Sequence, residues 1–139
     1  MKKLLFVWIM ALAFVACKEK ETKTEPEGPT QMQQVMAVHD ELMPKMSTIG
    51  ELIGKIEANI DSTNVDSVKV KAVTDLKAAN RSMMTWMKDF GNAFETDEIM
   101  NGAPLSEDKQ KTLDAFEKSV NELKAQMDGA IENAQGAMH

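Results

Sequence analysis

Three stretches of the chain place apolar residues at alternating steps of three and four. The first runs Met32, Met36, His39, Met43, Met46, Ile49, Ile53, Ile56, Ile60. The second runs Val73, Leu76, Asn80, Met83, Met87, Phe90, Phe94, with Trp86 one residue off the line and widening it. The third runs Leu113, Phe116, Val120, Leu123, Met127, Ile131, Ala134. Such spacing is the signature of one apolar face on an α-helix. No alternating β-branched run or hairpin turn follows residue 30, and tyrosine is absent, which argues against sheets. Each predicted helix has a charged face opposite its apolar one, so none hides its stripe alone. Short connections place consecutive helices antiparallel. The pattern therefore predicts an all-α fold: an up-down-up bundle of three helices with coiled-coil-like packing, and no repeat at a solenoid period.

Local signals punctuate this pattern. Thr30 and Gln33 have the spacing of a capping box at the start of the first helix. Pro44 lacks an N–H and crowds the Asp40 carbonyl, so a kink is expected there; the stripe keeps its phase across the proline, which favours a kink over a break. Asp61-Ser62-Thr63-Asn64 reads as a turn rich in capping residues. Asn80 is polar on the second seam; it either sets register, as buried asparagine does in coiled coils, or faces solvent at the edge. Asn101-Gly102 and Pro104 mark a loop from about Thr96 to Leu105. Ser106 is a good N-cap for the third helix, with Glu107 and Asp108 placed well for the helix dipole. Gly129 and Gly136 weaken that helix toward its end.

The residues before Thr30 read differently. Lys2 and Lys3 precede an uncharged apolar run from Leu4 to Val15, then the small Ala16 and then Cys17. That is the order of a secretory signal, and the run falls short of the roughly 20 residues a spanning helix needs. Cys17 is the single cysteine of the chain, so it has no internal disulfide partner. Phe14-Val15-Ala16-Cys17 resembles the lipobox of bacterial lipoproteins, departing from it where Phe14 stands in a position usually held by leucine. The resemblance implies cleavage after residue 16 and acylation of Cys17, with two or more chains giving a stable anchor. Residues 1–16 are thus expected to be a leader, 17–29 a lipidated cysteine and tether, and 30–139 the helical domain. Lys18 to Pro29 contains no apolar side chain able to dock and has the composition of disorder. As a coil it reaches about 20 Å. Its Lys-Glu-Lys-Glu start also resembles the charged segments of Bacteroidetes-type lipoproteins exported to the outer surface; an ordinary solvated spacer reads equally well. The expected address is the cell envelope, anchored to a membrane, with the domain facing the periplasm or the surface.

Charge and chemistry narrow the role. The chain carries a net charge of −6, and loss of Lys2 and Lys3 with the leader would move it to −8. Such a surface repels nucleic acid, and no basic patch offsets it. Of twelve methionines, only Met1 and Met10 precede Cys17. If the first two helices turn near residue 62, His39 lies level with Trp86, and Met36, Met43 and Met46 lie close to Met87, Met83 and Ala79. Core packing explains such a layer, because methionine favours helices and fills irregular gaps. A second reading is a soft-metal site for Cu(I), with His39, Met43, Met46, Met83 and Met87 as thioether and imidazole ligands. A third is a pliable methionine-rich face for a protein partner. No constellation points to catalysis. Two histidines, one of them terminal, do not build a zinc site, no serine sits in a nucleophile elbow, and no glycine-rich phosphate loop exists. A non-enzymatic interaction or structural protein, with no small-molecule substrate and no cofactor beyond the lipid, is the expectation.

Val35-Met36-Ala37-Val38-His39-Asp40-Glu41-Leu42-Met43-Pro44-Lys45-Met46, together with Met83-Met84-Thr85-Trp86-Met87, resembles a group of small helical Bacteroidetes lipoproteins that often carry the label "viral A-type inclusion protein". The resemblance covers the leader and the first two helices. It implies an envelope location and a helical fold. It transfers no activity to particular residues, and the viral label reflects generic coiled-coil similarity.

Overall fold

The computed structural model describes residues 28–60 and 66–138. Within them the chain is all-helical, with no strand among the described residues and four helices: α1 Gln31–Glu57, α2 Ser67–Ala93, α3 Thr96–Met100 and α4 Glu107–Gly136. The expected lipidated Cys17, the leader, most of the tether and the Asp61–Asn64 turn lie outside the described residues.

The helix starts follow from side-chain caps. Thr30 accepts from the Gln33 amide, and the Gln33 side chain accepts from the Thr30 N–H at 2.8 Å, closing the expected capping box. Ser106 caps α4 through the Lys109 amide. Asp66 caps α2, accepting from Val68 and Lys69. Each cap satisfies backbone N–H groups that the first turn leaves without partners. At the far end α4 persists through Gly129 to Gly136, where Ala137 closes it by donating to Asn133.

The segment expected as a loop from Thr96 to Leu105 instead contains α3. The Glu98 carboxylate accepts from the Glu95 N–H at 2.8 Å and from Lys109 Nζ at 2.6 Å. Asp97 and Glu98 in its first turn also suit the positive end of a helix. One turn is too short to show an apolar period, so the pattern did not reveal it. Gly102, at φ +67°, ends the segment, and the Ala103 N–H donates back to the Asp97 carbonyl. The left-handed backbone there favours glycine.

α1, α2 and α4 pack pairwise against one another. α1 and α4 are joined by Gln31–Asp114, Glu41–Lys124 and Lys45–Asp128, each pair separated by 83 positions. α1 and α2 meet in the opposite order, His39 against Trp86 and Glu57 against Lys77. The fully buried side chains include Leu42, Ile49, Ile56, Leu76, Met83, Leu113, Val120 and Met127.

The buried line on α1 shares Met32, Ile49 and Ile56 with the expected stripe and departs from it at Val35, Leu42 and Leu52. It runs Met32, Val35, Leu42, Ile49, Leu52, Ile56. Met36, His39, Met46 and Ile53 are half-buried, and Met43 is 41% exposed. A helix packed against two neighbours buries the residues that point between them. The side of α1 toward α4 is polar, with Glu41 and Lys45 paired to it, so that flank carries no apolar signal. Met36 and His39 lie on the other flank, toward α2. On α2 the buried set is Ala72, Val73, Leu76, Ala79, Met83, Trp86 and Phe90. Trp86 is thus on the seam, while Asn80 and Met87 are at its edge. On α4, Phe116 and Ile131 are half-buried, and Ala130 joins the core.

α1 passes through Pro44 as one helix. Asp40 and Pro44 are both exposed, so the carbonyl that loses its amide partner lies on the side of the helix open to water. No helix among the described residues is long and apolar enough to cross a membrane.

Candidate functional site around Trp86

Trp86 joins the two concavities that matter. α2 places it on the seam, where its indole is 7% exposed. Its Nε1–H donates to Ser119 Oγ at 3.0 Å, and that hydroxyl donates to the Phe116 carbonyl at 3.0 Å. A buried indole N–H needs such a partner, and the serine of α4 supplies it. Around the indole stand Phe90, stacked at 4.8 Å and 14°, and Phe116, edge-on at 5.7 Å. Phe94 completes the cluster, 5.0 Å from Phe90 and 5.9 Å from Phe116. The His39 imidazole stacks on Trp86 from α1 at 5.9 Å and 25°.

On one side of Trp86 lies a groove of about 750 Å³ between α2 and α4. Trp86, Phe116 and Leu123 contribute its apolar surface, and Arg81, Asp89 and Glu122 its charged one.

On the other side lies a smaller pocket of about 160 Å³, lined by Met36, His39, Trp86, Met87, Phe90, Gly91 and Ile99. Its walls come from α1, α2 and α3. His39 Nδ1 sits 2.9 Å from Asp40 Oδ1, and its side chain is 17% exposed. A carboxylate oxygen only accepts, so Nδ1 carries the hydrogen of this contact.

The structure thus separates the five residues of the predicted soft-metal set. His39 and Met87 line one pocket. Met83 is fully buried in the core, Met43 is exposed, and Met46 is half-buried without lining that pocket. Met36 lines the pocket beside His39, a juxtaposition foreshadowed by their three-residue spacing on one helix face. Ile99 was invisible because α3 was. Among the described residues no group of three or more His, Cys, Asp or Glu is placed to hold a metal ion.

A cluster of charges bridges α1 and α4 away from this site. Glu41 meets Lys124 and Lys45, and Asp128 meets the same two lysines. Hydrogen bonding to Lys124, then to Lys45, holds the Glu41 carboxyl below its ordinary range. Lys45 does the same to Asp128, and Glu41 raises the Lys124 ammonium above its ordinary value. Lys109, with the Glu95 N–H, lowers Glu98.

No protein-family model, curated protein or solved structure matches this chain. The candidate site therefore rests on its own geometry.

Proposed function

We propose that this protein is a non-catalytic, lipid-anchored protein of the cell envelope that works by helix-mediated contact with a protein partner. Residues 1–16 are the leader, Cys17 carries the acyl chains, residues up to 29 are the tether, and 30–139 form the presented domain. The domain is an up-down-up bundle of three long helices with coiled-coil-like packing, bent at Pro44. The constant offset between partners on α1 and α4, and the reversed order between α1 and α2, support that topology.

The observation that carries the contact role is the groove between α2 and α4. Its Trp86, Phe116 and Leu123 suit the apolar stripe of an amphipathic helix, and Arg81, Asp89 and Glu122 suit mixed charges at the stripe's edges. A fourth helix laid there would extend the packing that already joins the other three. Buried aromatic groups of this kind dominate interface energetics.

The test uses the full chain in its producing cells, with a photo-crosslinking residue at Ser82. One discrete envelope protein should be captured, should co-purify stoichiometrically in mild detergent, and should be lost when Ala78→Trp fills the groove. Recovery of free monomer alone, or capture unchanged by the filled groove, overturns the reading.

A further inference from the structure

We propose that the pocket on the far side of Trp86 is a binding site for a soft monovalent cation, Cu(I), with Met36, His39 and Met87 as its ligands. Four observations on one pocket carry this. First, two methionines and a histidine line the same 160 Å³ of space; thioethers favour Cu(I), and imidazole also suits copper. Second, Asp40 accepts from His39 Nδ1–H at 2.9 Å, the outer-shell contact that fixes the tautomer of a metal-binding histidine and leaves Nε2 to ligate. Third, the remaining lining residues are Trp86, Phe90, Gly91 and Ile99, whose side chains carry no oxygen donor for a hard cation. Fourth, the imidazole packs on the Trp86 indole, 5.9 Å between centroids and 25° between planes, which holds the ring in place at the pocket wall.

The ligands come from two elements, Met36 and His39 from α1 and Met87 from α2, with Ile99 of α3 closing the pocket. The three-residue step from Met36 to His39 places both on one face of α1. Met87 follows the tryptophan that the core already holds. The packing of α1 against α2 therefore brings these three residues to one pocket.

This set differs from the stripe-based one in a way that experiment resolves. The full chain is purified in detergent with Cys17→Ser, removing the one thiol, and Trp8→Phe, leaving Trp86 as its single tryptophan. Cu(I) is added anaerobically in competition with bicinchoninate. The expected result is retention of one Cu(I) per chain, with quenching of Trp86 emission at the same stoichiometry. Removing outer-shell partners alone typically costs 10–100-fold in metal affinity, so Met36→Leu, His39→Leu and Met87→Leu should each weaken binding by at least about tenfold. Met43→Leu and Met84→Leu, at exposed positions, should leave both retention and quenching unchanged. Leucine nearly conserves methionine's volume, and circular dichroism of each variant reports that the helices persist. Absence of retention, binding indifferent to Met36→Leu and Met87→Leu, or binding lost through Met43→Leu overturns the site.

Discussion

Trp86 is the residue on which most contacts converge. It closes the core, stacks on Phe90, receives His39 and reaches Ser119 across the helix interface. Trp86→Ala removes this packing and should destabilise the protein by about 3–5 kcal/mol in urea unfolding. Trp86→Phe keeps an aromatic ring and loses the hydrogen bond, so a loss of about 1–2 kcal/mol is expected. Equal losses from the two variants would mean that the hydrogen bond, not the packing, dominates. Gly102 is the other residue with a specific backbone demand. At φ +67° it ends α3, and nothing lies within 4 Å of a Cβ added there. The cost of Gly102→Ala is therefore conformational, about 1 kcal/mol. A stabilised Gly102→Ala protein would contradict the assigned turn.

At the scale of elements, α1 carries two tensions. Proline in a helix interior costs roughly 3 kcal/mol through the missing N–H and the ring clash. Pro44→Ala gives the Asp40 carbonyl its donor back and should raise the melting temperature; an unchanged or lowered value would contradict that cost at this position. The second tension is electrostatic. Glu41, Asp128 and Glu98 titrate below their ordinary ranges in the folded chain. The unfolded chain then binds more protons in that window. The contribution of these groups is complete above the ordinary carboxylate range near about pH 4 and is lost as pH falls through the lowered values. Lys124 has the opposite sign: its contribution holds below the ordinary lysine value and disappears as pH rises through the raised one. Thermal melts should thus show a neutral plateau and an acid decline, and Glu41→Gln should make the decline shallower. An unchanged acid limb in that variant would remove the cluster from the account. Glu41 is half exposed, so salt should weaken its pairing with Lys124, and should weaken the pairing of Glu98, 11% exposed, less.

For the whole molecule, the proposed anchor makes one prediction that no part of the domain supplies. A clickable fatty acid fed to the producing cells should label the wild-type chain and sediment with membranes. Cys17→Ala should abolish the label and release the chain to the soluble fraction, with the helical signal unchanged. A wild-type chain that is secreted without label would end the lipoprotein reading and leave the bundle intact. The groove and the pocket make separate demands on the same molecule. They share Trp86 but otherwise use different faces, so filling the groove at Ala78 and removing thioethers at Met36 and Met87 have distinguishable effects.

The three-and-four spacing alone determined that this chain is helical and roughly where the long helices lie, because burying one face of a helix requires that period. Residue type at the helix starts determined the Thr30 and Ser106 caps, which depend only on neighbours in sequence. Tertiary structure decided which side of each helix is innermost. A stripe read from apolar residues misses a flank satisfied by ion pairs, so Met43 was expected inward and lies exposed, while Val35 and Leu42 are the buried positions. It decided that α3 exists, since one turn has no period and depends on Glu98 and Lys109 meeting across 11 positions. It also decided which methionines share a pocket. Side chains four residues apart on one helix share a face whatever surrounds them, but only the packing of α1, α2 and α3 places Met36, His39 and Met87 around one space.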